Sequence, residues 1–165
     1  MAEGNHDAID DLVAQWDRER PDLTFAAMGT VARLGRVAAL VNASVEAVLV
    51  EHGLTLADFD VLATLRRSGA PHVLRPSDLS RQLLLSPAGM TGRLDRLAAA
   101  GLVDRTPDPD DRRSWLVGLT EEGRSKVDGA VIDHLANEER LLAALSPERR
   151  AAFDAALREL LAELD

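Results

Sequence analysis

Between Pro76 and Leu119 helix starts and stops follow one another so closely that few folds remain open. Pro76 begins PSDLSRQLLL at a first helical turn, and Ser86-Pro87 then supplies an N-cap and first-turn proline for PAGMTGRLDRLAAA, which Gly101 closes. Two short helices joined by a tight turn are predicted. The next segment changes period. Leu102 to Thr106 and Ser114 to Leu119 alternate around the turn-rich, charged PDPDDRR, the pattern of a β-hairpin.

The flanks read as helix. Asp7 to Arg18 places Ile9, Leu12, Val13 and Trp16 at helical spacing, and Pro21 ends the run. From Thr24 to His52 the chain is apolar at Val31, Leu34, Val37, Val41, Val45 and Val48, with Gly53 as C-cap, giving a helix of about 28 residues. In LTLADFDVLATLRRSG, Thr55-x-x-Asp58 is a capping box and Gly69 a stop. Thr120 caps a long helix from Glu121 to about Leu145, and Ser146-Pro147 starts a last one to about Leu164. Only five residues are aromatic and Tyr is absent, which suits helices better than strands. The expected architecture is mainly α: a winged helix-turn-helix with long N- and C-terminal dimerisation helices and a two-stranded β wing. Residues 1–53 would hold an added helix and a dimerisation helix, 54–119 the winged lobe, and 120–165 the C-terminal dimerisation helices, all in one compact chain. Long apolar flanks with little domain to cover point to a homodimer.

Charge is distributed unevenly. The net charge is −9, yet Arg66 to Arg113 holds nine arginines against six acids, so the remainder carries −12. An acidic protein with one basic segment can still read nucleic acid, because phosphate affinity needs a local positive footprint. In a helix-turn-helix the second helix enters the major groove, which makes Ser86, Ala88, Gly89, Thr91, Gly92, Arg93 and Arg96 the expected contacts with double-stranded DNA. Small residues there allow close approach, hydroxyls suit phosphate or base edges, and Arg suits guanine. Arg75 and the hairpin's Arg112 and Arg113 complete the set. The absence of cysteine excludes a disulfide scaffold, a thiolate metal site and a thiol redox sensor. His6, His52, His72 and His134 lack metal-ligand spacing, so neither metal nor cofactor is expected. No GxGxxG, P-loop or GxSxG context suggests an enzyme. No apolar run of about 18 residues or signal leader suggests a membrane or export, leaving a cytoplasmic protein as the expectation.

The stretch LSPAGMTGRLDRLAAAGLVDRTPDPDDRRSWLVGLTEEGR resembles the core of the MarR family of winged-helix dimeric regulators, with close likeness over roughly residues 54–125. The resemblance implies that the wing's D-x-R is Asp111-Arg112-Arg113, the aspartate holding an arginine that enters the minor groove. The chain is further similar to the family's urate-responsive subgroup, which carries an added first helix bearing a Trp. That likeness puts the Trp on Trp16, an acid before the helix-turn-helix on Asp60, and arginines on Arg93 and Arg105. It implies a repressor that binds a pseudo-palindromic operator as a homodimer and is released by a small anionic effector, urate-like or an aromatic carboxylate. The alternative is a winged-helix architectural protein without a ligand.

Overall fold

The computed structural model describes residues 6–111 and 114–164. The chain divides into two compact units, Met1–Ser44 and Val45–Asp165. In the first, helix α1 (Ala8–Glu19) starts at Asp7, whose carboxylate accepts from the backbone N–H groups of Ile9 and Asp10 while Asp10 returns a bond to the Asp7 N–H. This reciprocal cap satisfies donors that a helix start otherwise leaves orphaned. Helix α2 (Ala26–Glu51) begins in this unit and ends in the next. Arg33 of α2 reaches back to both cap carboxylates, with Nε 2.8 Å from Asp7 Oδ2 and Nη2 against Asp10. The Arg33 guanidinium, together with the backbone donors, holds the Asp7 carboxyl down at about 2. Gly29 makes room for α1: a Cβ there would sit 3.1 Å from Val13 Cγ2.

The second unit carries the rest of the predicted elements. Helix α3 (Leu56–Arg67) is capped by Thr55, whose hydroxyl oxygen accepts from the Asp58 N–H. Strand β1 (Val73–Leu74) follows, then α4 (Pro76–Gln82), α5 (Pro87–Ala99), β2 (Val103–Pro107), β3 (Trp115–Leu119), α6 (Glu121–Leu142) and α7 (Pro147–Leu164). Strands β2 and β3 form the expected hairpin, with Val103 opposite Leu119 and Pro107 opposite Trp115. Sequence reasoning did not foresee β1, which adds a third antiparallel strand by placing Val73 opposite Gly118 and Leu74 opposite Val117. Two residues are too few to show alternation.

The core lies under the helix-turn-helix. Leu49, Val61, Leu62, Leu65, Leu79, Val117 and Val127 are fully enclosed, joined by Met90, Leu94 and Leu97 from α5. Gly101, at φ +72°, ends α5 in the left-handed conformation that glycine adopts without a Cβ clash. Large apolar side chains stay exposed on both long flanks, among them Val31 and Leu40 of α2, Ile132 of α6 and Leu161 of α7. No single helix among the described residues is long and apolar enough to cross a membrane.

Candidate nucleic-acid interface

The α4–turn–α5 unit is set by three local features. Arg75 occupies the N-cap of α4 with Pro76 after it. Leu84 makes the turn at φ +52°. Ser86 then caps α5, its hydroxyl oxygen accepting from the Gly89 N–H at 3.2 Å. The buried stripe Met90, Leu94 and Leu97 fixes which side of α5 faces out. That outer side carries Ala88, Gly89, Thr91, Gly92, Asp95 and Arg96, so its first two turns project almost no bulk. A Cβ placed on Gly92 would meet nothing within 4 Å, so no packing demand explains the glycine. Because glycine in a helix interior costs about 0.5–1 kcal/mol relative to alanine, the fold alone favours a larger residue there. The Thr91 hydroxyl donates to the Pro87 carbonyl at 3.0 Å. With no acid in its first turn, α5 presents the positive end of its dipole undiminished.

The arginines divide. Arg96 is exposed on α5 and its Nη2 lies 3.5 Å from Asp58 of α3. Arg93 is partly buried on the flank facing α3, where Nη1 donates to the Ala57 carbonyl at 3.5 Å. Beside it sits Asp60, partly buried. Desolvation pushes the Asp60 carboxyl above the usual carboxylate range, opposed by the positive charges of Arg93, Arg67 and His134. Arg105 of β2 is engaged by Asp95, so within this unit Asp60 and Arg93 come together while Arg105 takes a different partner. Trp16 belongs to the N-terminal unit, where its half-exposed ring stacks on Phe25 with centroids 5.6 Å apart.

The wing is anchored by a residue that sequence reasoning gave no such role. Asp108 is buried, and its carboxylate accepts from Arg75 Nε at 2.6 Å and from the Asp110 N–H at 2.9 Å. Its own N–H donates to the Ser114 carbonyl at 3.0 Å. The Arg75 guanidinium, followed by the backbone N–H groups of Asp110 and Asp111, holds the Asp108 carboxyl below the usual range. Arg75 therefore ties the start of α4 to the wing, and its second link is Asp110 at 3.6 Å. A buried carboxylate amid the charged PDPDDRR could not be told from its exposed neighbours by sequence. Asp111 lies at the hairpin tip with its carbonyl accepting from the Ser114 N–H at 2.8 Å. Arg112 and Arg113 lie outside the described residues. No group of three or more metal-ligating side chains occurs among the described residues.

A slim helix face, a dipole end turned outward and a tethered hairpin beside it form a surface shaped for a duplex groove. Comparison with known proteins agrees. The MarR family profile matches residues 52–114. The chain is 38% identical over 149 residues to the HTH-type transcriptional regulator PecS of Dickeya dadantii, with 90% of each chain covered. Its fold is similar to that of a C80S mutant of MarR from Escherichia coli solved with operator DNA (TM-score 0.72, 26% identity, 83% of this chain and 97% of that one). It is also similar to BpsR of Bordetella bronchiseptica, from a structure concerned with regulation of DNA binding by 6-hydroxynicotinic acid (TM-score 0.68, 29% identity, 78% and 90% covered). The chain therefore belongs to the MarR family of winged helix-turn-helix, DNA-binding transcriptional regulators, and is a regulator rather than an enzyme.

Proposed function

We propose that this protein is a cytoplasmic, homodimeric repressor that binds a pseudo-palindromic operator and is released by a small anionic ligand, urate-like or an aromatic carboxylate. The observation that carries the release is Asp60, a partly desolvated carboxylate on α3 set against Arg93 of α5. An anion that draws Arg93 away, or replaces Asp60 as its counter-charge, repositions the recognition helix. BpsR, whose DNA binding is regulated by 6-hydroxynicotinic acid, supports an aromatic acid as the class. The exposed apolar residues of α2, α6 and α7 support the homodimer, formed mainly by residues 24–52 and 121–164. Arg75, Ser86, Ala88, Gly89, Thr91, Gly92, Arg93, Arg96, Arg112 and Arg113 are assigned to DNA, the last two by the wing. Fluorescence anisotropy of a labelled duplex, titrated with urate, salicylate and 6-hydroxynicotinic acid, tests the release. At least one should free the duplex. Failure of all three, with no rise in melting temperature, would favour the ligand-independent architectural protein.

The recognition face carries its own prediction. Gly92→Ala should stabilise the free protein by about 0.5–1 kcal/mol, since the new methyl meets open space and the helix gains propensity. The same methyl should weaken DNA binding by holding the α5 backbone off the groove. Thermal melts and anisotropy on one preparation check both signs. Unchanged or tighter binding would remove Gly92 from the interface.

A further inference from the structure

We propose that Leu84 is a specificity-determining residue, forming with Pro87 and Thr91 an apolar notch that seats the 5-methyl group of a thymine in the operator. The inference rests on α5 entering the major groove and deepens that reading. Three observations carry it. Leu84 is 94% exposed, more than any other large apolar residue of the described chain. It holds φ at +52°, a conformation glycine takes freely and a branched side chain does not. The backbone there is fixed on both sides, by Leu85 N–H donating to the Ser80 carbonyl at 2.9 Å and by the Ser86 cap. The fold thus gains little from the side chain, which is almost wholly exposed and occupies a strained position.

What the side chain does is line a crevice between α4 and α5. This cleft of about 530 Å³ is bounded by Leu84, Leu85, Pro87, Thr91, Ser80 and Arg81 and is overwhelmingly apolar in its lining. It is continuous with the outer face of α5, since Thr91 belongs to both. The Thr91 hydroxyl donates to the Pro87 carbonyl, and the residue contributes a methyl group to the cleft's lining chemistry. Arg81 at the rim is well exposed and paired with Asp78 of the same helix at 2.6 Å. The occupant that fits is one strand of a DNA duplex. Among the base edges in the major groove only thymine offers a methyl group, and apolar side chains are its recognised partners.

The test separates this reading from the one beneath it. Duplexes are selected by the wild-type protein from a random library, then resynthesised with each thymine replaced in turn by uracil, which deletes only the methyl. Binding of wild type, Leu84→Ala and Leu84→Gly is followed by anisotropy. One thymine per half-site should cost the wild type about fourfold when demethylated, the worth of one buried methyl. The same replacement should cost Leu84→Gly and Leu84→Ala nothing. Both variants should keep the wild-type fold, and Leu84→Gly should melt no lower, because an exposed side chain leaves no cavity. If every thymine behaves alike in all three proteins while each still binds, the notch reads nothing and this proposal falls alone. If the wild type enriches no duplex, the reading of α5 falls and takes the notch with it. A change in oligomeric mass of Leu84→Gly with unaltered DNA binding would overturn the proposal in favour of a protein contact.

Discussion

Alanine at Gly123 should lower the melting temperature by about 10 °C, the consequence of about 3 kcal/mol of lost stability in a chain of this length. The first turn of α6 rests directly on the chain leaving α5. A Cβ at Gly123 would fall 1.9 Å from the Leu102 carbonyl oxygen and 2.8 Å from its carbon. Both are backbone atoms, so no rotamer change relieves the overlap. The strand entry itself is held, because Leu102 accepts from the Thr120 N–H at 3.2 Å and the Thr120 hydroxyl donates to the Gly101 carbonyl at 2.7 Å. Thr120 also caps α6 through the Gly123 N–H at 2.9 Å. Relief must therefore open the cap, the strand start or the α5 exit, each of which adjoins the proposed DNA face. Gly92→Ala provides the internal control, since the same chemical change in open space should move the melt the other way. A Gly123→Ala melt within two degrees or so of wild type, by circular dichroism, would show that this junction yields easily.

Binding of the right anion should weaken DNA affinity by about 100-fold, which requires the ligand to favour the released state over the DNA-bound state by about 2.7 kcal/mol. One or two charge-assisted contacts to a desolvated arginine supply that much. Arg93 meets the requirement. It is partly buried, it lies on the helix proposed to read DNA, and its bond to the Ala57 carbonyl links α5 to α3 beside Asp60. Arg93→Ala should lose most of the ligand response, and Asp60→Asn should shift DNA affinity even without ligand because Arg93 loses its counter-charge. The raised carboxyl of Asp60 adds a direction in pH. Its charged form is disfavoured in the fold, so its burden on stability is full at neutral pH. It is relieved as pH falls through the raised value toward the ordinary carboxylate range. Asp60→Asn should remove that component from the pH profile of stability. An equal ligand response in wild type, Arg93→Ala and Asp60→Asn would place the effector elsewhere.

Much of this architecture was legible because its signals are local. Ser86-Pro87, Thr55, Thr120 and the glycines after α2, α3 and α5 act through the nearest few residues, so these caps and stops fall where the sequence puts them. Helix α2 ends with Gly53 at φ +66°, as its position after an apolar run implies. What escaped were relations across the chain. Arg75 and Asp108 are 33 residues apart, and nothing in PDPDDRR marks one aspartate as the buried one. Arg105 finds Asp95 rather than Asp60 because pairing follows the register of β2 against α5, which no spacing rule contains. Strand β1 exists only as an edge partner of β3. Nothing in the run LLL marks Leu84 as the exposed leucine, and the backbone turn is what puts it in solvent.

We expect α5 of a two-fold symmetric dimer to read DNA. Selection of duplexes from a random library, by wild type and by Thr91→Ala, tests it most directly. The wild type should enrich an inverted repeat whose half-sites lie about one helical turn, roughly 10 base pairs, apart or a multiple of it. Thr91→Ala should alter the preferred base at the same position in both halves. Enrichment of no sequence above the starting library, or identical preferences for the two proteins at every position, would contradict it.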